Sequence, residues 1–449
     1  MSAADAPPGA RLLFGTDGVR GAAGTFLTPE LALGLGRAAA AGCPAAAPRV
    51  LIVRDTRESG PMLEAALASG IASAGGHALL AGVLPTPAAA LLVRRYGLDL
   101  AVVVSASHNP FQDNGVKFFG PDGTKLSDAE EAEVERLLGS STSGGPSAAP
   151  PGRVEELHGG AGDYLRELEA RFEGLDLSGR RIVLDCAHGA TYRVAPEIFR
   201  RLGADIEVMA AAPDGRNIND GCGSTHVEAL AGRVGDGGFD LGFAFDGDGD
   251  RVLAVDRHGA VVDGDELIAL VALHHRAAGR LLGDGVAVTV MTNFGFHQAM
   301  EAAGVQVATT RVGDRYVLAE LLERGWALGG EQSGHIIDTA FVPAGDGTAA
   351  ALLTLEALAG GDLSERDAMR KLPQRLVNVR VAERGALDGA TAVWQAVEAE
   401  HDALAGRGRV LVRPSGTEPL VRVMVEAPEE AECEAVAGRL VALVELELG

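Results

Sequence analysis

At 449 residues the chain is too long for one hydrophobic core, and roughly two to four domains are expected. Its 62 acidic and 39 basic residues give a formal net charge of −23, which repels a phosphate backbone, so we expect no nucleic-acid partner. The sequence has no apolar run of about 18 residues and no basic-then-apolar stretch at its start. We therefore expect no membrane association and a cytoplasmic location.

A strand–helix–strand pattern opens the chain and then recurs. RVLIVRD (49–55) reads as a strand, PMLEAALASGIASAG (61–75) has helical spacing, and HALLAG returns to an extended apolar run. The same plan returns at 181–210 and again at 286–310. Three successive units of one plan predict three α/β modules of related architecture.

The first candidate site is the segment VVVSASHNPFQDNGVKFF (102–119), where a buried strand runs into a polar loop. Strand ends in α/β folds are where ligands bind. Ser105 or Ser107 could act as a nucleophile, but His108 follows directly, and neighbours in an extended segment point apart, so a serine–histidine pair is not implied. No GxSxG elbow occurs. A serine that carries phosphate, faces a magnesium ion and is neutralised by Lys117 and arginines fits better.

Composition also predicts where the modules end. SSTSGGPSAAPPG (140–152) cannot build a packed element and reads as a linker or flexible loop. The four cysteines are scattered, without CxxC spacing, and are expected to be small buried or incidental thiols. The C-terminal part differs, with strand LVNVRV, helix TAVWQAVEAE, hairpin RVLVRPSGTEPLVRVMVE and a final helix. We place the domains at 1–160, 161–262, 263–372 and 373–449.

The second loop, FAFDGDGDRVLAV (243–255), alternates aspartates with glycines between two strands. Residues two apart in an extended chain project to the same side, so Asp246, Asp248 and Asp250 can converge on one hard divalent cation. A calcium EF-hand is excluded, because Arg251 and Arg257 occupy the positions that need glycine and glutamate. Magnesium is favoured over a merely solvated acidic turn, because three carboxylates leave coordination positions for water and a phosphate oxygen.

Two further loops carry groups suited to a phosphosugar. In GGEQSGHII (329–337), Glu331, Ser333 and His335 form a donor and acceptor set suited to sugar hydroxyls, although a histidine in such a turn can also be structural. In RPSGTEPLVR (413–422), hydroxyls, backbone N–H groups and two guanidiniums are the parts of an anion site, with a plain β-turn as the alternative.

Five motifs together resemble the α-D-phosphohexomutase superfamily in order and approximate spacing. They are FGTDGVRG (14–21), SASHNP (105–110), DGDGDR (246–251), GGEQSGH (329–335) and RPSGTEP (413–419). SASHNP, and NIN followed by CGSTH (217–226), are similar to the bacterial branch that acts on glucosamine phosphates. The resemblance covers nearly the whole chain. It implies three related α/β domains with mixed sheets plus a smaller C-terminal α+β domain around a central cleft, each donating one loop.

The resemblance also implies residue roles. Ser107 would be the phosphoserine, and a phosphate oxygen of that residue would bind magnesium together with Asp246, Asp248 and Asp250. The residues around the transferred phosphoryl group would be Arg20, His108, Lys117 and Arg251. Glu331 and Ser333 would bind the sugar's 3- and 4-hydroxyls, and His335 would assist proton transfer. The phosphate that is not transferred would be bound by Arg413, Ser415, Gly416, Thr417 and Arg422.

The implied reaction interconverts glucosamine 6-phosphate and glucosamine 1-phosphate through glucosamine 1,6-bisphosphate, on the route to UDP-N-acetylglucosamine, with catalysis mainly by positioning and charge stabilisation. Phosphoglucomutase or phosphomannomutase activity is the alternative within the enzyme class. A phosphate-binding regulatory protein without turnover is the alternative from another class. The oligomeric state cannot be inferred from the sequence.

Overall fold

The structure is a computed structural model that describes residues 13–15, 17–141, 150–404, 406–414 and 419–449. Most of the predicted linker (142–149) lies outside the described residues, and so do Ser415, Gly416 and Thr417 of the predicted phosphate loop. Residues 140 and 141 belong to the predicted linker, but they are instead the last residues of a helix that begins in the acidic segment before them.

The first module contains a mixed sheet with helices packed on it. In chain order its elements are β1 (Val19–Ala22), α1 (Pro29–Gly42), β2 (Arg49–Arg54), α2 (Gly60–Ser73), β3 (His77–Val83), α3 (Thr86–Arg95), β4 (Leu100–Val104), β5 (Asp113–Phe119), α4 (Asp128–Ser141) and β6 (Val154–Glu156). The sheet order is β1-β5-β4-β2-β3-β6, with β5 antiparallel to both its neighbours and β2 parallel to β3 and β4. Because helices cover the sheet, β4 is buried along its whole length, which is why its sequence reads as an unbroken apolar run.

The second module repeats this plan with a sheet in the order β11-β10-β9-β7-β8. Its elements are α5 (Gly160–Arg171), β7 (Arg181–Asp185), α6 (Val194–Arg201), β8 (Asp205–Met209), α7 (Glu228–Gly237), β9 (Leu241–Phe245), β10 (Val252–Asp256) and β11 (Val261–Val262). Strand β7 is parallel to β8 and β9, whereas β10 is antiparallel to β9. The reversal between β9 and β10 places the aspartate loop in the turn that joins them.

The third module has a sheet in the order β13-β12-β14-β15-β16. Its elements are α8 (Gly264–Ala277), β12 (Gly285–Thr289), α9 (Phe294–Ala302), β13 (Gln306–Thr310), α10 (Asp314–Arg324), β14 (Leu328–Gly330), β15 (Ile336–Asp338), β16 (Val342–Gly345) and α11 (Gly347–Leu358). Helix α8 begins at a capping box in which Asp263 and Glu266 satisfy each other's backbone N–H groups. Strands β14 and β15 are antiparallel, so the turn between them carries the GGEQSGH segment.

The C-terminal elements form a separate α+β arrangement. They are β17 (Gln374–Arg380), α12 (Thr391–Leu404), β18 (Arg409–Pro414), β19 (Leu420–Glu426) and α13 (Glu430–Leu448). The sheet order is β17-β19-β18 and both pairings are antiparallel, as the predicted hairpin requires. Val393, Val423 and Leu440 are fully buried in the core that the helices and this sheet share. The predicted α/β class, with three related modules and a smaller C-terminal one, is therefore confirmed.

By contacts the chain divides into two compact units. The first contains the described residues up to Val290 together with Ala308–Arg366, and the second contains Met291–Val307 together with Asp367–Gly449. No helix in the described part of the chain is long and apolar enough to cross a membrane. All four cysteines lie in described ranges as free thiols, three of them buried and Cys43 half-buried, in agreement with the prediction.

Candidate active site

Ser107 lies in the turn between β4 and β5 and is almost completely buried. Its φ of 53° is left-handed, so the turn is not extended at this residue. As a result, Ser107 Oγ lies 3.4 Å from His108 Nδ1, and our expectation that these neighbouring side chains point apart is wrong. The Ser107 hydroxyl nevertheless donates to Asp246 Oδ2 at 2.5 Å, so the serine faces the aspartate loop and no hydrolase-type pair is formed.

The three aspartates converge in the turn between β9 and β10. Asp246, Asp248 and Asp250 are all buried, and each offers a carboxylate oxygen within 4.8 Å of the others. The convergence confirms the prediction, but its geometric basis differs, because the segment is a tight turn with Gly249 at φ 73° and not an extended strand. Glycine suits that φ, and a Cβ there would also lie 2.4 Å from Thr191.

The electrostatics of the aspartate loop fit a divalent cation. Burial, together with repulsion from Asp250 and Asp248, raises the pKa of Asp246 well above its usual range. One oxygen of Asp248 and one of Asp250 are buried with no hydrogen-bond partner among the described residues. Buried carboxylate oxygens that lack a hydrogen bond are costly, whereas oxygen ligands of this kind are what Mg²⁺ and Ca²⁺ prefer. These residues can therefore hold a hard metal ion.

Cationic groups surround the aspartates. Lys117 is buried on β5 and donates to Asp248 Oδ2 at 2.8 Å, and its Nζ is 3.0 Å from Asp17 Oδ2. Burial disfavours its charge, but Asp17 and Asp248 outweigh that and raise the pKa of Lys117. Arg251 follows the aspartates directly and donates its backbone N–H to Asp246 Oδ1 at 3.2 Å. Arg20, on β1, pairs with Asp17. Lys117 Nζ also lies 3.8 Å from Asp250 Oδ2, which is beyond hydrogen-bond distance.

His108 is held uncharged beside the serine. Burial, with the nearby Arg251 and Arg20, lowers the pKa of His108 to about 4. Arg251 Nη1 lies 3.3 Å from His108 Nδ1, and because a guanidinium can only donate, Nδ1 is the acceptor in this contact. The Nε atoms of Arg20 and Arg251 are both buried without a hydrogen-bond partner within the described ranges, which leaves donors available for an anion at this place.

His335 connects the third module to the aspartate loop. Its Nδ1 lies 3.7 Å from Asp250 Oδ1 and its Nε2 lies 3.6 Å from Asp314 Oδ2. Burial opposes a charged imidazole, but Asp250 and Asp314 outweigh it and raise the pKa of His335. Burial raises the pKa of Asp250, but the positive charges of His335 and Lys117 outweigh this effect and lower that pKa. Glu331 and Ser333 lie on the same turn, where Glu331 accepts from the Gly313 N–H at 2.9 Å and Ser333 is exposed.

In the second unit, Arg413 and Arg422 lie opposite each other on β18 and β19. Both are half-buried, and Arg422 Nε has no hydrogen-bond partner in the part of the chain that is described. Burial and the neighbouring Arg422 lower the pKa of Arg413. Two adjacent guanidiniums repel each other unless an anion lies between them, so their pairing is typical of a phosphate or carboxylate site.

Several residues that contribute to the site were missed by the sequence reasoning. Thr86, at the start of α3, donates to Asp248 Oδ2 at 2.7 Å and so helps to orient that carboxylate. Lys125 is half-buried and pairs with both Asp17 and Asp314, joining the first module to the third. Asp17 belongs to the FGTDGVRG motif, in which only Arg20 is predicted as a site residue. That motif was a signal from which Asp17 could have been found. Thr86 and Asp314 lay in segments that carried no comparable signal.

Comparison with known proteins places this fold and site in one class. Four family models, described as the α/β/α domains I, II and III and the C-terminal domain of phosphoglucomutase/phosphomannomutase, match residues 11–144, 162–259, 263–376 and 376–443. The chain belongs to the phosphoglucomutase/phosphomannomutase family.

Within that family, the chain is similar to phosphoglucosamine mutases. The chain is 52% identical to a phosphoglucosamine mutase of Moorella thermoacetica over 95% of this chain and 98% of the relative. The chain is accordingly an isomerase with phosphoglucosamine mutase activity, which interconverts the 6- and 1-phosphates of glucosamine.

Solved structures agree on the fold. A phosphoglucomutase/phosphomannomutase family protein of Burkholderia thailandensis matches with a TM-score of 0.81 at 22% identity, covering 97% of both chains. An N-acetylphosphoglucosamine mutase of Aspergillus fumigatus, solved with GlcNAc-6P and magnesium, matches with a TM-score of 0.68 at 19% identity over 98% of this chain and 97% of that one.

Removal of one aspartate charge tests the metal site. We expect Asp248→Asn to weaken Mn²⁺ binding about 10- to 100-fold, because it removes an anionic ligand and keeps the side chain's size. Isothermal titration calorimetry measures the affinity. Asp205→Asn, which removes an exposed carboxylate of β8, is the matched control and should bind Mn²⁺ as the unmodified chain does. Equal affinity in both variants would contradict the assignment.

Proposed function

We propose that Ser107 is the phosphorylated residue through which the mutase reaction runs. The observation that carries this proposal is the contact of Ser107 Oγ with Asp246 Oδ2 at 2.5 Å. Ser107 is buried, and its hydroxyl is the one in the SASHNP turn that faces the three aspartates of the candidate metal site. A phosphoryl group on Oγ would lie near the Nε atoms of Arg20 and Arg251, which have no hydrogen-bond partner among the described residues.

The residues around the transferred group would act by charge and position. Asp246, Asp248 and Asp250, with a phosphate oxygen of Ser107, would hold Mg²⁺. When bound, that ion would neutralise charge that develops on the transferred phosphoryl group. Lys117 would hold Asp248 in place, and neutral His108 would offer a hydrogen-bonding ring without adding charge. His335 would assist proton transfer, with Asp314 beside its Nε2 to exchange the proton.

The sugar and its second phosphate would be bound by the remaining loops. Glu331 and Ser333 would accept and donate hydrogen bonds to the 3- and 4-hydroxyls. Arg413 and Arg422, with Ser415, Gly416 and Thr417, would bind the phosphate that is not being transferred. Support for this part is the Nε of Arg422, which has no hydrogen-bond partner among the described residues, and the donor residues that the loop's sequence provides. We also propose that the domains span residues 1–160, 161–262, 263–372 and 373–449. The proposed location is cytoplasmic, and the proposed role is in UDP-N-acetylglucosamine synthesis.

The reaction would proceed in two transfers that balance. In the first, the phosphorus–Oγ bond of Ser107 breaks, the phosphoryl group passes to the 1-hydroxyl of glucosamine 6-phosphate, and the proton of that hydroxyl ends on Ser107 Oγ. Glucosamine 1,6-bisphosphate results. In the second, after the bisphosphate has reversed its orientation in the site, its 6-phosphoryl group passes to Ser107 Oγ, and the proton of the serine hydroxyl ends on the 6-oxygen of the sugar. Glucosamine 1-phosphate leaves and Ser107 is phosphorylated again.

A substrate comparison tests the function. With a trace of hexose 1,6-bisphosphate and Mg²⁺ present, a coupled assay should give a kcat/KM for glucosamine 6-phosphate that exceeds those for the glucose and mannose 6-phosphates. Preference for glucose or mannose phosphate would make the chain a phosphoglucomutase or phosphomannomutase. Absence of turnover with all three, in a folded and phosphorylated protein, would leave only the phosphate-binding regulatory role.

Substitution of the two serines separates the phosphoryl carrier from its neighbour. We expect Ser107→Ala to remove nearly all mutase activity, whereas Ser105→Ala should keep about a tenth of it, because only the hydroxyl of Ser107 can be in line with the substrate. Peptide mass spectrometry of the unmodified chain should place phosphate on Ser107. Phosphate on Ser105 would overturn the assignment.

The two arginines of the second unit give a separate test. Arg413→Ala should raise KM and lower kcat, with a loss of about 2–3 kcal/mol in transition-state stabilisation, as for a charge-assisted phosphate contact. Arg439→Ala, which breaks an exposed ion pair with Glu400 in the same unit, is the control and should leave the kinetics unchanged. Normal kinetics in a folded Arg413→Ala protein would mean that the second phosphate is bound elsewhere.

A further inference from the structure

A buried guanidinium holds the backbone of the serine turn. Arg57, which follows β2, has no exposed surface. Among the described residues, its terminal nitrogens donate only to backbone carbonyls of this turn. Nη2 donates to the carbonyls of Ser107 and Asn109 at 2.9 and 2.8 Å. Nη1 donates to those of Pro110 and Asp113 at 2.5 and 3.1 Å. A charge buried in this way cannot release those carbonyls without losing its partners.

The carboxylate of Asp55 binds this arginine and, through Ser105, also holds the backbone N–H of Ser107. Asp55 accepts from Arg57 Nε at 2.8 Å and from the Arg57 backbone N–H at 2.9 Å. The same carboxylate accepts from Ser105 Oγ at 2.6 Å, and Ser105 Oγ in turn accepts the backbone N–H of Ser107 at 3.0 Å. Both backbone polar groups of Ser107 are therefore fixed to the Asp55–Arg57 pair.

A second donor reaches the same carbonyl from the second module. Asn219, in the segment between β8 and α7, donates its Nδ2 to the carbonyls of Ser107 and Asn109 at 2.9 and 3.1 Å. A carbonyl oxygen has two lone pairs, and that of Ser107 uses both, one for Arg57 and one for Asn219. A left-handed conformation at a residue other than glycine persists only where the surroundings hold it.

We propose that Arg57 and Asn219 are positioning residues for phosphoryl transfer, which hold Ser107 in its left-handed conformation so that Oγ faces Asp246. This inference rests on the proposed role of Ser107. A purely structural role fits less well, because the terminal nitrogens of Arg57 bind the serine turn and no other part of the core. The conformation that they hold is also the one that aims the hydroxyl at the candidate metal site.

Replacement of the planar guanidinium tests the proposal. Arg57→Lys keeps the charge but cannot bind four carbonyls in one plane. We expect kcat to fall about 100-fold, as for a misplacement of about 1 Å, with KM for glucosamine 6-phosphate changed less than about twofold. The rate at which glucose 1,6-bisphosphate phosphorylates the dephosphorylated chain should fall by the same factor. Arg366→Lys, which alters a half-buried ion-pair network with Asp256 and Glu266, is the control and should change neither rate.

A milder variant keeps the test decisive if Arg57→Lys does not fold. Asn219→Gly removes the second donor and tolerates the local φ of 59°, and we expect kcat to fall about five- to tenfold at unchanged KM. Ala359→Gly, at another left-handed position, is its control. Wild-type kcat in folded Asn219→Gly, or a rise in KM that accounts for the whole loss, would overturn the proposal. An unmodified chain that never carries phosphate on Ser107 would instead overturn the proposed function.

Discussion

Three carboxylates share one buried turn, and the first compact unit is built around their charge. Asp246, Asp248 and Asp250 are all buried and bring oxygens within 4.8 Å of one another. Like charges at such distances repel strongly where the dielectric is low. The turn can persist only if cations compensate it, and the positions of many surrounding residues follow from that requirement.

The compensating groups come from different modules. Lys117 comes from β5 of the first sheet, and His335 comes from the turn after β14 in the third. Lys125 and Asp314 extend the same network, since Lys125 lies between Asp314 and Asp17. Each module thus supplies charges that another module needs. The packing of the modules and the chemistry of the site have a common electrostatic basis, and a change at one contact alters the balance at the others.

Much of the fold could be predicted because its signals are local. Apolar runs marked the buried strands, and alternation of aspartate with glycine marked the candidate metal site. Ion pairs between distant segments carry no local pattern, so Lys125 and Asp314, 189 residues apart, could not be paired in advance. The left-handed turn at Ser107 was missed for another reason, since nothing in a serine's identity indicates a positive φ. Arg57 was visible as a charge directly after a buried strand, but its partners are carbonyls, which every residue has.

The turn that bears Glu331 and Ser333 is packed so closely that little of it can vary. A Cβ on Gly334 would lie 2.0 Å from the Val252 carbonyl oxygen, and one on Gly330 would lie 2.3 Å from that of His335. The side chain of Gln332 donates to Asp263. Ser333 is the exposed side chain of this turn. If the sugar binds at this turn as proposed, selection in a library for a changed sugar preference is expected to act first on Ser333, while the glycines around it stay constant.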